Sequence, residues 1–564
     1  MNQTRTFLIL AWLMVAIMLW MEWNKEQTAA RAPSSSTTTL QTDGNDSVPQ
    51  ARRDGAIPSA PSTPARRTAA AAATGTPAVT VTTDVLRLVI DGGSVRRAEL
   101  LQYPQTTAAG SPPMVLFDSA PDSFYQAQSG WVSEAQAAPS HLDGFVPETG
   151  AGNVQLLPGA SEVAVPFLWT GPNGVSIRRT YIVKRGQYAL QVRDEVINTG
   201  NQPWQGHVYR QLVRVPPVVK SGFTHPESYS FHGAAWYSPE DKVEKRKFAD
   251  YAEDGTLDKP VTAGWIGLLQ HHFFSAWIPA ASDRTTVSLA WPQNGRQALV
   301  REMGPGLTVA PGTRQQTEAR LWVGPKLVKQ IEAQQVPGLE RAVDFSSYGI
   351  MAALAGMLFW VLSWLHGLIG NWGWAIIGLV VIIKLLLFPL SAAQYKSAAK
   401  LRKFQPRVQQ LKERYGEDKQ KFQMALMELY RKEKINPMGG CLPILVQMPI
   451  FLALYWTLLE AVELRHAPWI GWIQNLTAPD PYFILPVINI AVMWLTQRLT
   501  PMVGMDPMQQ RIMQLMPLIF GVMMVFFPAG LVLYWVTNGT LGLLQQWVML
   551  KKYGGSHADP AKPA

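Results

Sequence analysis

The stretch NWGWAIIGLVVIIKLLLFPLSAAQ, residues 371–394, decides the fold of this chain. It is apolar and long enough to cross a bilayer, yet Lys384 lies well inside the apolar run. A charged side chain in lipid costs at least about 2.5 kcal/mol, so a lysine there needs a partner, a water-filled cavity or a route to the headgroups. The stretch therefore predicts a membrane protein in which Lys384 has a structural or functional role.

The positive charge of the chain is concentrated in one short segment. The whole sequence carries a net charge of +10. Residues 24–345 are nearly neutral, with 30 Lys and Arg against 29 Asp and Glu. Residues 396–434 hold 12 Lys and Arg against 5 Asp and Glu. This distribution argues against a protein that coats nucleic acid and indicates a local basic surface.

The N-terminal region predicts an anchor and a linker. Residues 1–23 contain an apolar run of about one bilayer thickness, preceded by Arg5, which predicts an uncleaved span with a cytoplasmic amino end. A cleaved signal peptide is the alternative, with Ala30-Arg31-Ala32 as a loose cleavage site. Residues 24–77 are rich in Ala, Ser, Thr and Pro, which predicts a flexible linker.

Residues 78–325 change to strand-like alternation and turn sequences. Val85–Ile90 precede Asp91-Gly92-Gly93, and two short apolar runs flank the GPNG sequence at 171–174. Many short strands with little helical periodicity predict an enlarged β-sandwich. The region shows no paired carboxylates, Ser/His/Asp set or phosphate loop, so we expect a structural or docking domain. A carbohydrate-active domain on a membrane anchor is the alternative.

The sequence predicts no metal or cofactor site. Cys441 is the only cysteine, so an internal disulfide or a thiolate cluster is impossible. His271-His272 is the only adjacent histidine pair, and no carboxylate pattern accompanies it. We therefore expect this pair to hold no metal.

Residues 326–370 connect the β domain to the next span. They predict a short helix and then an amphipathic helix on the bilayer surface, because only Gly370 separates residues 347–369 from the span at 371–394. A further span over residues 347–369 is the alternative, since its length would permit one.

Residues 395–435 contain most of the excess positive charge. Apolar residues recur there at spacings of three and four: Leu401, Phe404, Val408, Leu411 and Tyr415. This periodicity is typical of an amphipathic helix, and residues 422–429 predict a second one. The segment therefore predicts a basic cytoplasmic helical hairpin with a docking surface. A solvated loop that obeys the positive-inside rule is the alternative.

Four more apolar segments complete the membrane part. They are residues 438–460, 481–500, 512–528 and 530–550, followed by a basic tail at 551–564. Together with residues 1–23 and 371–394 they give six predicted spans. Alternation of sides and the distribution of Lys and Arg predict cytoplasmic N- and C-termini and an external β domain.

Lys384 is almost the only ionisable residue predicted inside the bilayer. A proton pump or ion-coupled transporter usually needs a relay of acids or histidines, and none is evident. One hypothesis is that Lys384 lies in a water-filled cavity lined by Gln447, Tyr534, Trp535 and Asn538. The alternative is that its amine reaches the cytoplasmic headgroups. Two weaker candidates, Asn489 and Gln497, could instead bond helix to helix.

Several motifs carry a family resemblance that runs through the whole chain. They are Asn371-Trp372-Gly373, Pro389-Leu390 with Ala393-Gln394-Tyr395, Asn436-Pro437-Met438-Gly439-Gly440-Cys441, Gln447-Met448-Pro449-Ile450-Phe451, Asp506-Pro507-Met508-Gln509-Gln510 and FPAGLVLYW at 527–535. With these motifs the chain resembles the YidC/Oxa family of membrane protein insertases, in the form found in Gram-negative bacteria. The resemblance implies no enzymatic activity and no cofactor. A small-molecule transporter or channel is the alternative function.

The resemblance implies a fold and a location. We expect a polytopic α-helical membrane protein of the bacterial inner membrane, with six spans and a large periplasmic all-β domain of the super-sandwich type, similar to sugar-mutarotase folds. Five of the spans would form an insertase core around a hydrophilic groove that is open to the cytoplasm. In the family the charge of the groove is typically an arginine, whereas this chain has Lys384.

The resemblance also implies three sets of site residues and several partners. The groove would be lined by Lys384, Gln447, Tyr534, Trp535 and Asn538. A hydrophobic slide for the substrate would contain Met448, Ile450, Met516 and Met523. Docking would use Lys396, Lys400, Arg402, Lys403, Arg407, Lys412, Arg414, Lys419, Lys421, Lys551 and Lys552. The expected partners are nascent membrane proteins, the Sec translocon, the ribosome, the signal recognition particle and its receptor, and the lipid bilayer.

Overall fold

A computed structural model of the protein describes Pro49 and residues 77–142, 144–150, 152–219, 230–251, 257–291, 296–343, 345, 349–394, 404–415, 418–432, 442–499 and 507–554. The predicted anchor at residues 1–23, nearly all of the predicted linker at 24–77 and the start of the basic segment lie outside these residues. The described chain has a β-rich part followed by a helical part.

The β-rich part extends from Val79 to Pro325. Its strands are β1 (Val79–Thr82), β2 (Leu86–Ile90), β3 (Ser94–Pro104), β4 (Pro113–Phe117), β5 (Tyr125–Val132), β6 (Val146–Pro147), β7 (Gly152–Gln155), β8 (Glu162–Thr170), β9 (Val175–Lys184), β10 (Ala189–Asn198), β11 (Trp204–Arg214), β12 (Gly233–Ser238), β13 (Lys242–Lys247), β14 (Leu257–Thr262), β15 (Trp265–Leu269), β16 (Phe273–Pro279), β17 (Arg284–Ala290), β18 (Ala298–Val309) and β19 (Arg314–Pro325).

These strands form two sheets. The ten-stranded sheet has the order β14-β17-β18-β11-β5-β3-β2-β1-β7, with β4 paired to β3. The nine-stranded sheet has the order β13-β12-β15-β16-β19-β10-β9-β8-β6. Most neighbouring strands are antiparallel, whereas β1 and β7 are parallel. The predicted enlarged β-sandwich domain is confirmed.

Two hairpins turn where the sequence predicts turns. β2 and β3 are antiparallel around Asp91-Gly92-Gly93, and β8 and β9 are antiparallel around residues 171–174. Gly92 has a φ of 90°, and Asn173 and Gly174 have φ values of 62° and 79°. This left-handed region is the one that Gly and Asn tolerate best. The residue types in these two turns therefore determine where the chain reverses direction in both hairpins.

A buried ion pair joins the two sheets inside the sandwich. Arg179 on β9 donates to both carboxylate oxygens of Asp194 on β10, at 2.7 Å and 2.6 Å. Across the core, Arg179 donates to the Ser129 carbonyl at 2.9 Å, and Trp131 Nε1 donates to Asp194 at 2.8 Å. Ser129 and Trp131 lie on β5, in the other sheet. The cluster therefore satisfies two buried charges and links the sheets.

The described residues after β19 are mainly helical. The helices are α1 (Val328–Glu332), α2 (Gly349–Ile369), α3 (Trp372–Leu386), α4 (Phe388–Gln394), α5 (Gln405–Tyr415), α6 (Lys419–Lys432), α7 (Leu442–Glu460), α8 (Ile484–Leu499), α9 (Pro507–Met524) and α10 (Ala529–Gly554). α2 packs against α3 and α7, α10 packs against α3 and α8, and α5 packs against α6.

The stretch at residues 371–394 is two helices rather than one straight span. α3 begins after Asn371, whose side chain accepts a hydrogen bond from the Trp374 N–H and so caps the helix. It ends at Leu386, and α4 continues at an angle of 65°. Pro389 explains the break, because proline has no N–H to donate and its ring clashes with the carbonyl four residues earlier.

Length and composition single out few membrane-crossing helices among the described residues. Ile350–Ile369 of α2 is long and apolar enough to cross a membrane. The bent pair of α3 and α4 is a second such segment if the two helices together form one span. Val446–Glu460 and Ile484–Leu499 are shorter apolar helices. In α2, Trp360 is 68% exposed although the helix packs against its neighbours. The orientation of α2 on the bilayer surface stays a prediction.

Breaking the inter-sheet ion pair should weaken the β domain strongly. Asp194→Asn leaves the buried Arg179 guanidinium without its counter-charge, which costs about 3–5 kcal/mol in free energy of unfolding. Glu318→Gln is the matched control, because it breaks the surface pair with Arg193 and should cost less than about 1 kcal/mol. Hydrogen–deuterium exchange of β5, β9 and β10 in the full chain measures both changes. If the amides of β5, β9 and β10 in Asp194→Asn were protected from exchange as well as in the wild type, the ion pair would not stabilise the β domain.

Candidate functional site

A small polar cluster joins α7 to α10 inside apolar helices. Gln447 Nε2 donates to Asn538 Oδ1 at 2.7 Å. Gln447 also lies within hydrogen-bonding reach of the Tyr534 hydroxyl. Tyr534 and Asn538 are four residues apart on α10, so they lie on the same face of that helix. The structure therefore brings together three of the five residues predicted to line the groove.

Trp535 belongs to an aromatic cluster next to these polar residues. Its ring centroid lies 4.9 Å from that of Phe451 on α7 and 5.0 Å from that of Phe520 on α9. Phe451 also stacks on Tyr534 at 6.2 Å. Trp535 Nε1 is buried and has no hydrogen-bond partner within the described chain. Trp535 therefore sits where α7, α9 and α10 meet, beside the polar cluster.

Phe451 and Phe520 are site residues that the sequence interpretation missed. Phe451 follows Gln447 by four residues and so shares its face of α7, which is a signal that could have identified it. No comparable signal marks Phe520, because its position depends on how α9 packs against α10.

Lys384 lies in the last turn of α3 and is half-buried. The hydrogen bonds that join Gln447 to Asn538 and Tyr534 do not include the Lys384 ammonium, although α3 packs against α10. Among the residues that the structure describes, no acidic side chain forms an ion pair with it. A cation in the last turn of a helix interacts favourably with the negative end of the helix dipole.

The residues predicted for the hydrophobic slide divide into two exposed and two partly buried side chains. Met448 on α7 is 48% exposed, and Met516 on α9 is 41% exposed. Ile450 and Met523 are partly buried against the apolar core. The two exposed methionines are available for contact with lipid or with an apolar segment.

The predicted docking residues are described only in part. Lys396, Lys400, Arg402 and Lys403 lie outside the described residues, and Lys419 and Lys552 are described by backbone alone. Arg407, Arg414, Lys421 and Lys551 are exposed, and Lys412 is half-buried. Three of the exposed cations lie over aromatic rings, Arg407 at 5.7 Å from Phe404, Arg414 at 5.5 Å from Tyr415 and Lys551 at 3.9 Å from Trp547. Exposed positive charge therefore lies on both helices of the α5–α6 pair and at the end of α10.

The weaker candidates and the histidine pair have structural contacts. Gln497 donates to the Met513 carbonyl and so links α8 to α9, as its alternative interpretation predicts. Asn489 contacts a residue of its own helix. His271 and His272 stack on each other beside the end of α7, and no group of His, Cys, Asp and Glu among the described residues could hold a metal.

Two family models together match most of the chain. The model described as YidC periplasmic domain matches residues 78–361, and the one described as 60Kd inner membrane protein matches residues 364–556. A membrane protein insertase YidC of Stenotrophomonas maltophilia strain K279a is 59% identical over 560 residues, which are 98% of this chain and 97% of that protein. The chain belongs to the YidC family of membrane protein insertases.

A second relative from another genus belongs to the same family, and one solved structure is similar in part. A membrane protein insertase YidC of Xanthomonas euvesicatoria pv. vesicatoria strain 85-10 is 55% identical over 569 residues, which are 98% of each chain. A crystal structure described as an active YidC insertase with the first transmembrane domain resolved is 19% identical, with a TM-score of 0.37, and the match covers 83% of this chain and 93% of that one. Membership of the YidC family favours an inner-membrane insertase with a periplasmic β domain over a transporter or channel.

The hydrogen bond between Gln447 and Asn538 should appear as a coupling energy. Gln447→Leu and Asn538→Leu each remove one partner, and the double variant should be less destabilised than the sum by about 0.5–1.5 kcal/mol. Thermal unfolding of the full chain in detergent measures the three changes in free energy.

Thr540→Val provides the matched control for this cycle. Thr540 is exposed on α10 and donates to the Val536 carbonyl of its own helix, so its effect should add to that of Gln447→Leu. Strict additivity of Gln447→Leu with Asn538→Leu would show that the two side chains do not stabilise each other.

Proposed function

We propose that this chain inserts nascent membrane proteins into the bacterial inner membrane through a hydrophilic groove between α3, α7 and α10, alone or together with the Sec translocon. One observation carries the proposal: Gln447, Tyr534 and Asn538 meet inside apolar helices of a chain that belongs to an insertase family. Polar residues within a membrane usually face the bundle interior or a water-filled cavity, and they mark the path of what crosses.

The proposed topology has six spans. They are residues 1–23, 371–394, 438–460, 481–500, 512–528 and 530–550, and the last five form the insertase core. This arrangement puts both termini and the basic segment in the cytoplasm and the β domain in the periplasm. The surplus of Lys and Arg in residues 396–434, 12 against 5 Asp and Glu, supports it, because cytoplasmic loops carry such a surplus.

Lys384 supplies the charge of the proposed groove. A short and often acidic segment of the substrate must leave water to reach the periplasm, and a nearby cation with polar neighbours lowers that desolvation cost. The lack of an acidic partner for Lys384 among the described residues supports a charge that is kept for the substrate. Lysine keeps the charge that the family usually provides with arginine, although it loses the bidentate geometry.

The apolar segment of the substrate takes a different path. It slides along α7 and α9 into lipid, driven by burial of apolar surface. Met448 and Met516 are exposed on these helices, and unbranched methionines adapt to varied apolar partners. Ile450 and Met523 lie on the same two helices and are partly buried against the apolar core.

Charge reversal at Lys384 should impair insertion of substrates with acidic tails. Lys384→Glu replaces attraction by repulsion, and we expect insertion to fall at least about tenfold, which a change of 1.4 kcal/mol produces. Lys384→Arg keeps the charge and should insert nearly as well as the wild type. Protease protection of an in vitro synthesised single-span substrate in proteoliposomes measures both.

A substrate with a neutral tail provides the internal control for Lys384. Its insertion should change little in Lys384→Glu, because the tail carries no charge to attract or repel. Equal insertion of the acidic substrate by the wild type and Lys384→Glu would remove this residue from the mechanism.

The basic surface of α5 and α6 is proposed to dock the ribosome or a targeting factor. Combining Arg407→Glu, Arg414→Glu and Lys421→Glu should lower co-sedimentation with ribosomes about tenfold at physiological salt, because contacts with RNA phosphates depend on such cations. Binding by the wild type should weaken as salt is raised.

A matched variant controls for the change in net charge. It reverses three exposed cations of the β domain with Arg87→Glu, Arg185→Glu and Arg314→Glu. Ribosome binding by this variant should equal that of the wild type. A similar loss in both variants would mean that total charge, and not the α5–α6 surface, governs binding.

A further inference from the structure

A group of buried polar contacts joins the β domain to the end of α7. The β domain and the residue that follows β19 contribute Ser230, His271, His272 and Lys326, and α7 contributes Leu459 and Glu460. We refer to these six residues as the α7 clasp. Apolar residues could bury the same surface without charges, so the polar character of the clasp calls for a separate explanation.

Glu460 is the centre of the α7 clasp. Its carboxylate accepts a hydrogen bond of 2.5 Å from Ser230 Oγ and lies 3.5 Å from the ammonium of Lys326. The side chains of Lys326 and Glu460 are 0% and 2% exposed. A buried charge is costly unless an opposite charge lies close to it, so each of these two residues stabilises the other.

Two stacked histidines complete the end of α7. The rings of His271 and His272 lie 3.8 Å apart, and each Nε2 donates to the Leu459 carbonyl, at 2.8 Å and 3.2 Å. The last carbonyls of a helix have no partner inside the helix, so donors from outside are needed when that end is buried. Burial lowers the pKa of His272 well below its ordinary value, which keeps its ring neutral.

These contacts fix the orientation of α7 as well as its attachment. Apolar burial is not directional, so apolar residues alone would let the helix turn or slide against the β domain. Hydrogen bonds require defined distances and angles. The α7 clasp therefore sets the rotation of α7 about its axis, and the position of its C-terminal end along that axis, relative to the β domain. Gln447 lies about 20 Å away at 1.5 Å per residue. α7 continues through Pro449, so both residues belong to one helix.

We propose that Lys326 and Glu460 are positioning residues for insertion. Through the α7 clasp, the β domain holds α7 in the rotation that directs Gln447 towards Asn538 and exposes Met448 to the substrate. This inference rests on the proposed insertase function and gives the β domain a part in shaping the groove.

Photocrosslinking from two helices of the full chain in proteoliposomes tests the proposal. A photoreactive residue replaces Met448 on α7 or Met516 on α9, and a ribosome-bound single-span membrane protein is the probe. Glu460→Gln removes the negative charge of the α7 clasp. It should lower the ratio of crosslinks from position 448 to crosslinks from position 516 about fivefold, which is the size of effect expected when one charged hydrogen-bonded contact is lost.

Two variants separate positioning from general loosening. Lys326→Glu combined with Glu460→Lys rebuilds the ion pair with the charges exchanged and should restore the ratio. Arg465→Gln is the matched control, because Arg465 donates to the Pro104 and Gln105 carbonyls at the same domain boundary and is not one of the six residues of the α7 clasp. It should leave the ratio unchanged.

The outcomes distinguish the two proposals. An unchanged ratio in a folded Glu460→Gln variant, or an equal fall in Arg465→Gln, would overturn the role of the clasp. No crosslinks from either position in the wild type would contradict the insertase function instead. If Glu460→Gln does not fold, Ser230→Ala removes one hydrogen bond and keeps the ion pair. It should then give a smaller fall in the same direction, and an unchanged ratio would again overturn the role of the clasp.

Discussion

A polar atom that leaves water must meet another polar atom, and α7 satisfies this requirement near both of its ends. Near its start Gln447 bonds to Asn538 of α10, and at its end Glu460 bonds to Ser230 of the β domain. Most residues between these points are apolar, and apolar contacts tolerate rotation and sliding. The two polar contacts therefore restrict the rotation of α7 relative to the β domain and to α10. Apolar residues in place of either polar contact would still bury the same surface, but they would no longer fix the rotation of α7.

Local patterns in the sequence predict the β domain but not its strand order. The turns at Gly92 and Asn173 can be read from residue type, because each needs a positive φ that few residues adopt easily. β10 pairs with β9, its neighbour in sequence, and also with β19, which follows much later. β1 pairs in parallel with β7. Such pairings depend on which apolar faces bury each other, and neither strand encodes its distant partner locally.

The candidate site was predictable in its polar residues and not in their partners. Gln447 and Asn538 stand out because they are polar within apolar segments, and the structure joins them. The aromatic partners of Trp535 depend on the rotation of three helices, which sequence periodicity alone does not set. His271-His272 raises the question of a metal, yet both rings bond to a backbone carbonyl. Every residue carries such a carbonyl, so no sequence pattern marks this partner.

The break after α3 changes what the charge of Lys384 requires. α3 ends at Leu386 because Pro389 interrupts the backbone hydrogen bonds. A lysine in the last turn meets the negative end of the helix dipole, so its charge costs less there than in the middle of an unbroken span. The fold consequently needs no acidic partner for it, and the described residues provide none. A lysine paired inside the bundle would have to break that pair before it could attract a substrate, whereas Lys384 has no such pair within the described part of the chain.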